Sequence, residues 1–224
     1  VTVLVEVNPN FPRTFGDNQV HISEIDALIE TDRPVPALPI AEPSDRDRKI
    51  GRHIASLIED GSTIQLGIGG IPNAVAEALK GKSDLGIHTE MFTDGMVDLL
   101  RDGTVTNKKK TLYPGRTVCT FALGTERLYA YLNDNPSVVF MPGTWTNDPN
   151  VIGMNRKMVS INTTIEVDLT GQVCSDSMGH LFYSGIGDQV DFLRGSAMSK
   201  GGFSVIALPS TAQNGTVSRI VPHL

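Results

Sequence analysis

Short apolar runs alternate with helix-forming stretches along most of this chain, and that alternation limits the available folds more than any other feature. Ser44 opens the series: it can cap a helix, and Asp45 and Asp47 favour the positive N-terminal end of one. Ile50, Ile54, Leu57 and Ile58 fall on one face at helical spacing, and Gly61 stops the helix. Thr63 to Leu66 reads as a strand, 73–80 as a helix and Leu85 to Ile87 as a strand. Met96, Val97, Leu99 and Leu100 suit a helix that ends before Gly103. Val118 to Leu123 reads as a strand, 125–133 as a helix, Val138 to Met141 as a strand, 189–196 as a helix and Phe203 to Leu208 as a last strand. The pattern predicts an α/β fold with an open, largely parallel sheet and flanking helices. Residues 158–176 differ. Ser160 to Asp168 partly alternates, and Thr170-Gly171 turns into Gln172 to Ser175, which predicts a β-hairpin appended to the sheet.

The N-terminal stretch Val1 to Val5 reads as a buried strand already under way. A linker follows at Arg33 to Pro43, where closely spaced prolines favour an extended, semi-rigid connection and mark a domain boundary. The chain is expected to be an interior piece of a longer protein. Its 40% hydrophobic content suits a globular core and argues against disorder. The net charge of −6 argues against a nucleic-acid binder, because no overall positive field would attract phosphates. No apolar run reaches the roughly 20 residues that span a bilayer. Cys119 and Cys174 are too few for a disulfide framework and read as small core residues of a reducing, cytoplasmic setting. Lys108-Lys109-Lys110 reads as a solvated loop.

Three segments carry candidate chemistry. Gly67-Ile68-Gly69-Gly70-Ile71-Pro72 lies between a strand and a helix, where glycines allow close approach and a helix N-terminus favours an anion. Its spacing is not the dinucleotide fingerprint, since Pro72 occupies the third glycine's position. An ordinary tight turn is the alternative. Glu90 follows the strand Leu85 to Ile87, and a carboxylate at a strand's carboxyl end points into the ligand crevice of an open α/β sheet. It could be a nucleophile, a base or, with His88 and Asp94, a metal ligand, although no HExxH spacing supports a metal. A solvated loop glutamate and a structural histidine are the plainer readings. Ser184-Gly185-Ile186-Gly187-Asp188-Gln189 is a second glycine loop, whose free N–H groups could stabilise an oxyanion or simply enter a helix.

With these segments in order, joined by Glu6-Val7-Asn8-Pro9, Pro12-Arg13-Thr14, Thr93-Asp94-Gly95, Val190-Asp191-Phe192, Arg194-Gly195 and Ser199-Lys200-Gly201-Gly202, the chain resembles the acetyl-CoA hydrolase/transferase family of class I CoA-transferases. It looks closest to the 4-hydroxybutyrate and butyrate:acetate CoA-transferases. The resemblance implies a CoA-transferase-type, NagB/RpiA-like fold. Residues 1–43 would be the tail of a first domain with its Pro-rich linker. Residues 44–224 would be most of the second, glutamate-bearing domain, incomplete at its C-terminus. Glu90 stands where the family has its nucleophile. The backbone of Gly185, Gly187, Asp188 and Gln189 would supply oxyanion donors. Many members carry Gly at the position of Asp188; a carboxylate there would repel Glu90 and raise a pKa, so no side-chain role is assigned to it. Gly67, Gly69 and Gly70 would lie near CoA, with Lys200 and Arg194 as candidates for its phosphates.

The implied activity is transfer of CoA between acetyl-CoA or another short-chain acyl-CoA and a short-chain acid such as 4-hydroxybutyrate or butyrate. It would be ping-pong through a covalent glutamyl-CoA thioester. CoA would be substrate and intermediate, with no permanent cofactor and no metal. The expected partners are an acyl-CoA, a carboxylate and further copies of the chain. Hydrolysis of acetyl-CoA by the same glutamate is the alternative, and a non-catalytic CoA-binding fragment is the second.

Overall fold

The computed structural model describes residues 1–224. Seven helices punctuate the chain: α1 Asp45–Leu57, α2 Gly70–Leu79, α3 Asp94–Arg101, α4 Glu126–Leu132, α5 Gly143–Thr146, α6 Pro149–Met154 and α7 Gln189–Met198. The Ser44 cap holds as a reciprocal pair: the Asp47 N–H donates to Ser44 Oγ at 3.2 Å, and the Ser44 N–H to Asp47 Oδ2 at 3.0 Å. α1 ends at Leu57, and the extended backbone of Ile58 turns that residue inward, so Ile58 is buried and Leu57 is 58% exposed rather than on the core face. α2 begins three residues before the expected start, with Pro72 inside its first turn, where a proline lacks no needed donor.

The central sheet is parallel, with Phe203–Ala207, Met158–Thr163, Thr63–Leu66 and Gly86–Ile87 side by side. A bridge from His88 to Val118 continues it into Thr117–Cys119, Val138–Phe140 and Phe15–Gly16, again parallel. This is the open, largely parallel sheet with flanking helices that the alternation predicts. The single strand expected over Val118 to Leu123 breaks at Thr120, and Phe121–Ala122 pairs instead with Met91–Phe92. The hairpin is present but shorter: Glu166–Asp168 pairs antiparallel with Val173–Cys174, whereas Ser160 to Thr163 belong to the central sheet. Val1 to Val5 is not a buried strand. Leu4–Val7 pairs only with Ala27–Glu30, and Leu4, Leu28 and Ile29 remain exposed because nothing packs on that pair.

Side chains alternate across the sheet, as the pleat requires. Ile64, Leu66, Ile87, Val159 and Ile161 share one face and form the main core with Ile54, Val75 and Leu79 of α1 and α2. Thr63, Gln65, His88, Ser160 and Asn162 face the other way, buried but polar, where Met158 packs with Ile152 and Phe192 of α6 and α7. Lys110 joins that polar face. It is 4% exposed, and its ammonium donates to the carbonyls of Ile87 at 2.7 Å and Arg116 at 2.8 Å. It threads past Gly86, where a Cβ would overlap its Cγ. The solvated-loop reading of 108–110 therefore fails at its last residue. Cys119 is buried, and Cys174 is only half-buried.

Candidate active site

Glu90 stands just past the carboxyl end of Gly86–Ile87. Its carbonyl accepts the N–H groups of Thr120 at 2.8 Å and Phe121 at 3.1 Å, so the strand break at Thr120 fixes the Glu90 peptide. Its side chain is half-buried, and Asn147 Nδ2 donates to Oε1 at 2.9 Å. Asn147 closes the short helix α5, and its own Oδ1 is buried without a partner. Thr120 and Phe121 also border an apolar cavity of about 410 Å3, with Phe11, Val35, Leu123 and Phe140 on its walls.

His88 is scaffolding. It is fully buried, and Nε2 donates to the Thr146 carbonyl at 2.9 Å. Burial first, and the Lys110 charge second, push its pKa down to about 4, so it is neutral at physiological pH. Its ring packs against Trp145, centroids 5.9 Å apart, and Phe192, 6.1 Å apart. Asp94 is occupied as well: Thr125 donates to it from N–H at 2.9 Å and Oγ1 at 2.7 Å, and Arg127 pairs with it at 3.3 Å. His88 and Asp94 thus serve the scaffold rather than joining Glu90 around a metal.

The second glycine loop lies open. A Cβ on Gly185 or Gly187 would meet nothing within 4 Å. Its end is tied down by Gln189, which donates Nε2–H to the Thr163 carbonyl at 2.9 Å and accepts from Ser175 Oγ at 2.6 Å. Asp188 stands at the N-cap of α7 without capping it. Its Oδ2 instead accepts a long 3.4 Å bond from Gln65 Nε2. Gln65 and Asn162 clasp each other through two 3.1 Å amide bonds, and the Ile161 N–H fixes Gln65 Oε1 at 3.2 Å. Desolvation first, and the charge of Glu90 second, push Asp188 up to about 6.

The first glycine loop is near this network: a Cβ on Gly67 would lie 3.3 Å from Asn162 Oδ1. Gly69 takes φ of +109°, which an L side chain rarely adopts, and turns the chain into α2. Gly70 faces the Asp47 carboxylate. A second cavity of about 410 Å3 separates Ile68, Gly69 and Asn73 from the linker residues Leu38 to Ala41, and Asn73 Nδ2 donates to the Ala41 carbonyl at 2.9 Å. Lys200 is not brought here. Its carbonyl accepts the Lys157 N–H at 3.0 Å, just before the strand Met158–Thr163 begins, so it lies at the opposite end of the sheet from Glu90. Arg194 is exposed on α7.

Sequence reasoning missed Gln65, Asn162, Asn147, Thr120 and Lys110. The first two left a signal: polar residues at alternate positions, Thr63/Gln65 and Ser160/Asn162, within otherwise apolar strands.

The parallel α/β sheet thus carries Glu90 past the end of one strand and a glycine loop at the entry of each of two helices, α2 and α7. Residues 124–224 match the acetyl-CoA hydrolase/transferase C-terminal domain. The chain is 54% identical over 222 residues to a succinyl-CoA:cyclohexane-1-carboxylate CoA transferase of Geobacter metallireducens, covering 99% of this chain and 51% of the relative. It is 52% identical over 222 residues to a 4-hydroxybutyrate coenzyme A transferase of Clostridium kluyveri, covering 99% and 52%. The crystal structure of a 4-hydroxybutyrate CoA-transferase from Porphyromonas gingivalis superposes with a TM-score of 0.90 at 48% identity, over 100% of this chain and 54% of that one. The chain thus spans about half the length of the relatives it matches.

Proposed function

We propose that a full-length protein carrying this chain is an acyl-CoA:carboxylate CoA-transferase with Glu90 as its nucleophile. The observation that carries this reading is the setting of Glu90. Its peptide is held by Thr120 and Phe121, Oε1 is held by Asn147, and Oε2 is left to react. Oε2 attacks the thioester carbonyl of an acyl-CoA, the C–S bond breaks, and CoA leaves as thiolate from an acyl-glutamyl anhydride. The thiolate then attacks the glutamyl carbonyl and expels the acid as carboxylate, which leaves a glutamyl-CoA thioester. A second carboxylate runs the steps in reverse, and no proton is gained or lost overall. A carboxylate is a weak nucleophile, so positioning and oxyanion stabilisation must lower the barrier. The open N–H groups around Gly185 to Gln189 suit the second task. Gly67, Gly69 and Gly70 suit close approach of CoA, and Lys200 is dropped from that role because of its position.

In the same reading the substrates are acetyl-CoA or another short-chain acyl-CoA and an acid such as butyrate or 4-hydroxybutyrate. CoA is the only cofactor-like group, and the assembly is a homo-oligomer. Residues 1–43 are the tail of a first domain, which would cover the exposed strands Leu4–Val7 and Ala27–Glu30. No helix is long and apolar enough to cross a membrane; the cytoplasmic assignment rests on the family resemblance.

The test is to incubate the full-length protein with acetyl-CoA, reduce with borohydride and read the Glu90 peptide by mass spectrometry. A reduced Glu90 that depends on acetyl-CoA is expected. Glu90→Gln should lower transfer at least about a thousandfold while leaving the fold intact. An unmodified Glu90 beside acid-independent thiol release would replace transfer by hydrolysis. Full activity in Glu90→Gln would overturn both.

A further inference from the structure

Asp188 and Glu90 are two carboxylates on one packed unit. The Phe192 N–H donates to the Asp188 carbonyl at 3.0 Å, and the Phe192 ring packs against His88, two residues before Glu90. The start of α7 is thus packed on the segment that leads to Glu90. The Asp188 carboxylate makes no capping bond to its own helix. It meets the Gln65 amide, whose orientation is fixed from behind by Ile161 and Asn162.

The charges acting on Asp188 have one sign. Glu90 and Asp191 both disfavour its ionised form, and no cation is among the groups that shift it. Its neighbours on the central strands, Gln65 and Asn162, are neutral, and His88 is a neutral imidazole. Lys110 shares the polar face, but its ammonium is held by the Ile87 and Arg116 carbonyls, and its charge acts on His88 and is not among the groups that shift Asp188.

We propose that Asp188 is a positioning residue that biases Glu90 toward its covalently loaded, uncharged form. The inference rests on the transferase reading. Free Glu90 is an anion, whereas the anhydride and the glutamyl-CoA thioester are neutral at that side chain. Repulsion from ionised Asp188 therefore exists only in the free enzyme and is relieved on loading. Atoms and charge still balance: acyl-CoA plus the Glu90 carboxylate gives the thioester plus a free carboxylate, and the negative charge leaves with the acid. Coupling between the two sites is reciprocal, so what Glu90 does to the ionisation of Asp188, Asp188 does to the loading of Glu90.

The sign with pH follows. In the free enzyme burial, and then the Glu90 charge, push Asp188 up to about 6 from the usual aspartate range. Once Glu90 is neutral its contribution to that rise disappears, so the loaded enzyme holds Asp188 ionised to lower pH. The loading equilibrium therefore climbs with pH through the acidic range and levels off above about 6, where Asp188 is ionised in both forms.

The test uses the full-length protein in buffers of fixed acetyl-CoA to acetate ratio. The glutamyl-CoA fraction is read by borohydride trapping from about pH 5 to about pH 8. Wild type should load more as pH rises, by up to about tenfold for each unit of coupling. Asp188→Asn, nearly the same shape without the charge, should lose that part of the rise, and Asp188→Glu should restore it. Lys110 also titrates in this range, at about 7. Its share is common to all three proteins, so the difference between profiles belongs to residue 188. Identical profiles in wild type and Asp188→Asn would overturn the inference alone. Absence of any thioester in wild type would overturn the transferase reading, and this inference with it.

Discussion

The two faces of the central sheet are made by the same strands and do different work. On one, Ile64, Leu66, Val159 and Ile161 meet the apolar flanks of α1 and α2. On the other, Thr63, Gln65, Ser160 and Asn162 are just as buried yet polar. The first gains by removing apolar area from water, about 25 cal/mol per Å2. The second gains little, because a buried amide pair exchanges water's hydrogen bonds for its own, a net of about 1 kcal/mol per bond. Thr63 Oγ1, His88 Nδ1 and Ser160 Oγ even lack partners there. What the polar face offers instead is direction. Gln65 is held in one orientation by the Ile161 N–H and the Asn162 amide, and from there its Nε2 meets the Asp188 carboxylate.

Substitutions that separate stability from turnover would break this division or sharpen it. The largest stability loss is expected for Ile64→Ala, about 2–5 kcal/mol in denaturant unfolding, with turnover per folded molecule unchanged. Gln65→Ala should cost about 1–3 kcal/mol, since the Ile161 N–H and the Asn162 amide lose their acceptor, and it should also lower turnover. A Gln65→Ala protein as unstable as Ile64→Ala but fully active would end the distinction. Asn147→Ala should lower kcat about tenfold, equivalent to about 1.4 kcal/mol of barrier, by freeing the Glu90 carboxylate. Its stability should change little, because the buried Asn147 Oδ1 is unpartnered to begin with. Unchanged kcat would show that the main-chain bonds to Thr120 and Phe121 suffice to aim Glu90.

The apolar face was legible in the sequence because burial leaves a periodic mark. Thr63 to Leu66, α1 and the helix over Met96 to Leu99 stand where the pattern puts them. Glu90 and both glycine loops were legible because each abuts the end of a strand or helix. The polar face was not, since a glutamine in a strand reads as solvent-facing until the neighbouring strand brings an asparagine to it. Leu57 misled for a local reason: it is the last residue of α1, and the chain direction changes at Ile58. The break at Thr120 has no sequence marker. It coincides with the Glu90 carbonyl, which accepts the Thr120 and Phe121 N–H groups there.

Lys110 tests the polar face most directly, because it is a buried cation without a carboxylate. Two carbonyls receive its ammonium, and desolvation lowers its pKa to about 7 from 10.5. The folded state therefore releases this proton at lower pH than the unfolded chain. Between about 7 and 10.5 the unfolded chain binds more protons, so stability should rise with pH across that window. Below it both states are protonated and the contribution is constant. The rise is at most about 1.4 kcal/mol per pH unit. Lys110→Met keeps most of the side-chain volume beside Gly86 and removes the proton. Urea unfolding at about pH 7 and about pH 9 should show wild type gaining stability relative to Lys110→Met, by about 1 kcal/mol or more. Parallel stability curves for the two proteins would mean that the ammonium stays charged on two carbonyls alone. The polar face would then tolerate an unpaired charge as well as unpaired hydroxyls.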